Sequence, residues 1–341
     1  MMAHALESIF GRKSGRRATA ILCAAALLIL FVAVIFNLSA VGAALAEMAL
    51  YLQYKFIQRA LIVGVLVALC AALLGVILVL KRYSMIGDGL SHVGFGALTI
   101  AVSLGTVTAD MLPGVLPEGA RRGIAALCGV ISNSPLLFTL IVVVICATLL
   151  LRISRSSQLR GDSAIALIST SALAIGVIVT STASGMNIDV YNYMFGSILA
   201  MSDADVYMSL ILSAVVLILF VAFYHKIFAV TFDESFARAT GMNASVYNLL
   251  IAVLTAVTIV VGMRIMGTML ISSLIIFPAL SSMRVFSRFR AVVISSAVIS
   301  VVCFAAGIML SCLLSLPAGA GIVAINLVVF LIFSLIGALR A

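Results

Sequence analysis

The chain has 341 residues, 65% of them hydrophobic and only 9% charged, with a mean hydropathy of +1.34. A soluble globular chain carries about 25% charged residues, so this one has too few polar side chains to cover a water-facing surface. A soluble enzyme, a disulfide-stapled secreted domain and a disordered tail are excluded, and the net charge of +9 reads as membrane topology rather than a nucleic-acid footprint.

The apolar runs are continuous and about 20 residues long, which specifies helices rather than the alternating strands of a membrane barrel. Ten such runs lie near 18–41, 57–80, 86–105, 134–153, 163–182, 206–224, 245–262, 266–284, 291–314 and 319–339. The expected fold is therefore an all-α polytopic membrane protein of about ten transmembrane helices. The first run follows basic residues Arg12 to Arg17 and precedes Ala44-Leu45-Ala46, a pattern shared with secretory signals. It is long for a signal core and the next run follows closely. Residues 1–50 are read as a basic cytoplasmic N-terminus with an extra, retained helix, and 51–341 as the main transmembrane domain.

With the N-terminus inside, Arg12, Lys13, Arg16, Arg17, Lys81, Arg82, Arg152, Arg155, Arg160, Lys226, Arg238, Arg284, Arg288, Arg290 and Arg340 fall on the cytoplasmic side. Lys55, Arg59, Arg121, Arg122 and Arg264 fall outside. The imbalance predicts a multi-pass protein of the cell membrane with both termini cytoplasmic. Two stretches are irregular. The external stretch 106–133 holds Asp110, Pro113, Pro117, Glu118, Arg121, Arg122 and a short apolar piece from Ile124 to Ile131. The stretch 185–205 is too polar to span and too apolar for a plain loop, which fits a re-entrant or interfacial element. The six cysteines form no C-x-x-C pair and mostly sit in apolar runs, where a thiol behaves as a small hydrophobe.

Charge inside a span is costly, about 2.5–3.5 kcal/mol for a central Asp on insertion scales. The third run begins KRYSMIGDGLSHVGFGALTIAV, with Asp88 and His92 four residues apart and hence on one helix face, one turn from each other. Three readings fit that spacing: two ligands for a borderline divalent ion, a buried hydrogen bond joining helices, or a proton relay. A second polar region, 225–250, is cytoplasmic. Thr231, Asp233 and Glu234 look like a helix start and Gly241 like its stop, which predicts a surface helix of about ten residues. It is either an ordinary loop helix or a docking element. No phosphate-cradling G-x-x-x-x-G-K-[ST] loop occurs, so any ATP hydrolysis belongs to another polypeptide.

From Phe56 to Ile336 the chain resembles the permease subunit of the zinc/manganese/iron family of ATP-binding-cassette importers. The matching pieces are FIQRALIVG (56–64), KRYSMIGDGLSHVGFGA (81–97), GDSAIALISTSALAIGVIVTS (161–181), YNYMFGSILAMSDADV (191–206), FDESFARATGMN (232–243), MRIMGTMLISSLIIFPALSS (263–282) and LPAGAGIVAI (316–325). Where many members have a proline-glycine pair after the histidine, this chain reads Gly94-Phe95-Gly96. The external stretch 106–133 is also longer than usual.

The resemblance implies a homodimer with the translocation path at its interface, served by an extracytoplasmic metal-binding protein and two cytoplasmic ATPase subunits. It implies that Asp88 and His92 are the path's metal ligands. Segment 231–242 corresponds to the coupling helix that enters the ATPase, with Asp233, Glu234, Phe236 and Gly241 as its key positions. The expected function is ATP-driven import of zinc, manganese or iron by alternating access, with no catalytic site, no bound cofactor and no nucleic-acid partner. The competing reading is a proton-coupled secondary transporter of divalent cations that uses the same Asp88/His92 pair.

Overall fold

The computed structural model describes residues 53–105, 118–153, 161–182, 196, 201, 203–314 and 316–340. The expected helix at 18–41 and most of the stretch 185–205 lie outside these residues, as does 106–117 of the external stretch. Among the described residues there are helices and no strand: α1 (Lys55–Leu80), α2 (Ile86–Leu104), α3 (Glu118–Asn133), α4 (Pro135–Ile153), α5 (Gly161–Thr182), α6 (Asp203–Ala222), α7 (Tyr224–Phe232), α8 (Glu234–Ala239), α9 (Ala244–Met266), α10 (Thr268–Val285), α11 (Phe289–Leu314) and α12 (Ala318–Arg340). Each of the nine apolar runs expected after residue 50 is a helix. The chain is an all-α polytopic membrane protein.

Among the described residues, seven helices, α1, α5, α6, α9, α10, α11 and α12, are long and apolar enough to cross a membrane, and the bent pair α3–α4 would be an eighth. The helix α2 is 19 residues long but is not among the seven. Asp88, His92 and four glycines dilute its apolar content, so composition alone undercounts the spans. The pair α3–α4 turns through 91° at Ser134, where Pro135 begins α4 and cannot continue the α3 hydrogen-bond ladder.

The chain forms two compact units, with boundaries inside α1 and α10. The first comprises α1 to Val76, α10 from Ser273, α11 and α12. Here lipid offers no hydrophobic drive between helices, so small residues and interhelical hydrogen bonds hold the seam. The Ser300 hydroxyl on α11 donates to the Ala68 carbonyl of α1 at 2.9 Å, and Ser296 donates to Ala72 at 3.4 Å. Between these partners and the helix ends, Phe304 is fully buried.

The second unit runs from Ile77 to Ser272 and carries α2 through α9. Its centre is α2, packed against α4, α5 and α9. The approach of α5 is what Gly96 permits: a Cβ there would stand 2.7 Å from the Ala172 carbonyl oxygen, closer than van der Waals contact allows. The space beside Gly89 and Gly94 is filled instead by side chains, Ile165 and Met263. The residues that differ from the common family pattern, Gly94-Phe95-Gly96, are a packing surface in which Phe95 is fully buried.

Candidate metal pair and coupling segment

The pair is set by the start of α2. Tyr83 N–H bonds to the Leu78 carbonyl and Arg82 N–H to Val79, with Arg82 at φ 62°. That is the two-bond, left-handed cap that ends α1, with a long side chain where glycine is usual. Three residues later α2 begins, and Asp88 lies in its first turn, where a helix N-terminus favours an anion.

As the spacing requires, the two side chains meet. His92 Nε2 is 3.6 Å from Asp88 Oδ1, with the imidazole 17% and the carboxylate 49% exposed. The separation is too long for a direct hydrogen bond. It is close to the bite of one ion: donors at about 2.1 Å and the tetrahedral angle lie about 3.4 Å apart. A third group joins them. The Ser272 hydroxyl on α10 stands 3.5 Å from Asp88 Oδ1 while donating to the Thr268 carbonyl at 2.9 Å. Among the described residues no three His, Cys, Asp or Glu side chains form a metal-sized cluster. Among the described residues of one chain, the pair is thus a carboxylate and an imidazole with a serine beside them.

The segment 231–242 has a sharper start than the sequence suggested. Thr231 does not open the helix; it closes α7, with its hydroxyl donating to the Ile227 carbonyl. Asp233 is the cap. Its backbone is extended (φ −146°, ψ 96°), and its carboxylate accepts from Phe236 N–H at 2.9 Å and from the Ser235 hydroxyl at 2.6 Å. The hydroxyl of Ser235 first, then the Phe236 amide, hold the Asp233 carboxyl below its ordinary value. Only an extended residue can turn its side chain back onto the first free amides, which is why Asp233 and not Thr231 caps. The helix α8 is six residues long rather than about ten.

The helix ends as expected at Gly241 (φ 83°): Gly241 N–H bonds to the Arg238 carbonyl and Met242 N–H to Ala237. Ala237 packs in a small core with Val230 and Ala244, against Met242 and Tyr247. Phe236 points the other way and is 63% exposed.

Sequence reasoning missed one connection. Glu234 pairs with Arg238 and accepts from Asn248 Nδ2 at 3.3 Å, and Lys81 Nζ donates to the Asn248 side-chain carbonyl. A polar chain thus joins α8 to the first turn of α9 and to the turn that launches α2. Asn248, a buried amide in an apolar run, was the available signal.

A profile described as the ABC 3 transport family matches residues 53–337. The chain belongs to the ABC 3 transport family. The match covers the pieces on which the resemblance rested, and it leaves out the first 52 residues. Among relatives, the "Manganese transport system membrane protein MntC" of Halalkalibacterium halodurans is 26% identical over 279 residues, covering 82% of this chain and 86% of its own. The "Manganese import system permease protein ScaB" of Streptococcus gordonii is 25% identical over 280 residues, covering 82% and 91%. In three dimensions the chain is similar to "PsaBC from Streptococcus pneumoniae in complex with Fab", with a TM-score of 0.67 at 26% identity over 85% of this chain and 95% of that one. The family fold accounts for the order of the helices around Asp88 and His92.

Proposed function

We propose that this ABC 3 family permease is the membrane-spanning subunit of an ATP-driven importer of divalent metal ions, with Asp88 and His92 as transient ligands of the passing ion. The observation that carries the reading is the pair itself: a carboxylate and an imidazole one turn apart, 3.6 Å between donor atoms, neither closed into a short hydrogen bond. A helix that only needed to pack has no use for that cost. The relatives named as manganese systems favour manganese as cargo, with zinc and iron also suited to the donor set.

Two ligands per chain suit transport, since a conducted ion must enter a favourable site and leave it again. A second copy of the chain completes the coordination with its own pair across the translocation path. A loaded extracytoplasmic binding protein delivers the ion. Two ATPase subunits grip α8, with Phe236 as the exposed anchor, and nucleotide binding turns the path inward by alternating access. The polar chain from Glu234 through Asn248 to Lys81 supplies a route from α8 to the turn before α2. Both termini lie in the cytoplasm.

The deciding experiment is manganese-54 uptake into liposomes holding the permease with its ATPase and binding protein. Uptake should require ATP and fall more than about tenfold in Asp88→Ala and His92→Ala, since loss even of an outer partner of a metal ligand costs about 10–100-fold. Uptake by the permease alone under an imposed pH gradient would establish the proton-coupled reading instead.

A further inference from the structure

The helix α3 divides cleanly around its axis. At 100° per residue, Ile124, Leu127, Val130 and Ile131 share one side, while Glu118, Arg121, Arg122, Ser132 and Asn133 share the other. The apolar side is not packed: Leu127 is 64%, Val130 67% and Ile124 37% exposed. The contacts α3 makes with α2 and α4 run elsewhere on its surface, through residues such as the buried Cys128.

Its direction is equally specific. Within the bent pair, α4 is a continuous apolar helix of 19 residues, long enough by itself to cross a bilayer, and it meets α3 at 91°. A helix at a right angle to a spanning one lies along the membrane plane. Immediately past the bend, Leu137, Ile141, Ile145 and Leu149 form an exposed stripe at four-residue spacing on α4, an all-apolar face suited to acyl chains. Exposed apolar side chains thus stand on both arms of the bend at Ser134, on α3 and on α4.

We propose that α3 is an interfacial helix, seated in the boundary between headgroups and acyl chains at the membrane surface where α4 enters, and that its partner is the lipid surface itself. The chemistry matches on both sides. Leucine, valine and isoleucine enter the acyl region, while the exposed Arg122 sits at the level of phosphate groups, the usual division of an in-plane helix. The ion pair of Arg122 with Glu118, 3.5 Å apart on the exposed polar side, stays in water. Seated in this way, α3 fixes the depth and rotation of α4. The inference does not depend on which ion the protein moves.

The chain contains no tryptophan, so one substitution creates a unique fluorophore. The full chain carrying Leu127→Trp is reconstituted in phosphatidylcholine nanodiscs beside a second variant, Arg122→Trp. Leu127→Trp should emit at shorter wavelength and be quenched several-fold more strongly by brominated acyl chains than Arg122→Trp, which aqueous iodide should quench preferentially. Quenching of Leu127→Trp by iodide and not by bromolipid would overturn the proposal, since the apolar side would then face water. Quenching by neither agent would overturn it as well, because protein, either a second copy or the rest of the external stretch, would cover that side. Val130→Trp repeats the measurement one turn along and guards against a local disturbance at position 127.

Discussion

Two polar seams in this molecule differ in how they use their hydrogen bonds. On α11, Ser296 and Ser300 are fully buried and donate to carbonyls of α1 at 3.4 and 2.9 Å. On α2, Asp88 is about half exposed, and its side-chain neighbours His92 and Ser272 both stay at 3.5–3.6 Å. The first seam is closed: each hydroxyl has a carbonyl and nothing further to accept. The second is open, with a carboxylate that has about four acceptor positions and two soft contacts. In a membrane chain the number of polar residues is therefore a weaker guide than the state of their hydrogen bonds. Closed polar groups hold helices together, and open ones keep acceptor positions unused, which is what the proposed metal role of Asp88 and His92 requires.

The most severe way to break that comparison is to exchange the consequences of the two seams. Asp88→Ala and His92→Ala should each lower metal uptake by more than about tenfold while the purified permease keeps its thermal stability. Ser300→Ala should do the reverse: uptake near that of the parent and a stability loss of about 0.6 kcal/mol, the mean for interhelical hydrogen bonds in membranes, read by thermal unfolding in detergent. If Ser300→Ala abolished uptake in a fully folded protein, open and closed polarity would not be the relevant distinction.

The next effect in size concerns the polar chain below the pair. Asn248→Leu keeps the branched shape of asparagine, though not its smaller volume, and removes both bonds, to Glu234 and to Lys81. Removing the amide should leave ATPase subunits bound and hydrolysing, yet lower ion uptake per ATP several-fold, measured as the ratio of manganese-54 uptake to phosphate release. Phe236→Ala should instead weaken ATPase binding itself by about 1–2 kcal/mol, as loss of an exposed aromatic anchor does, measured by co-purification at increasing salt. Equal losses of binding and coupling in both variants would merge the anchor and the chain into one element.

Much of this was legible in the sequence, for physical reasons that particular residues make plain. The spans were legible because a bilayer demands about 20 apolar residues in a row. Asp88 and His92 were legible because a charge in such a run is costly and a spacing of four fixes a shared face. Ser272 was not, because serine is common in spans and 184 residues of chain separate it from Asp88. Asn248 stood out as an amide in an apolar run, but its partner Lys81 lies 167 residues away and could not be read from spacing. The bend at Ser134 was not legible either. A proline there is compatible with a loop, and the apolar piece from Ile124 to Ile131 is too short to be counted as a span. At α8, composition located the segment to within two residues, but choosing between Thr231 and Asp233 needed a backbone angle that no propensity supplies.

The smallest effect tests that last choice. Asp233 is fully exposed, and the Ser235 hydroxyl and Phe236 amide hold its carboxyl below the ordinary value of 3.8. The sign follows from linkage: a group whose folded value is depressed contributes its full stabilisation above the unfolded value and loses it as the pH falls through the folded one. The cap of α8 should therefore be intact at neutral pH and weaken only below about pH 4. Asp233→Asn keeps an acceptor for Phe236 N–H and should behave as the parent at neutral pH but lose the acid dependence. Asp233→Ala should fray α8 at every pH, read as faster amide exchange at Phe236 and Ala237. If Thr231→Ala had that effect and Asp233→Ala did not, the helix would begin two residues earlier, inside what is now α7. The surface offered to the ATPase would then rotate by two residues, about 200° around the axis, carrying Phe236 from the exposed side to another.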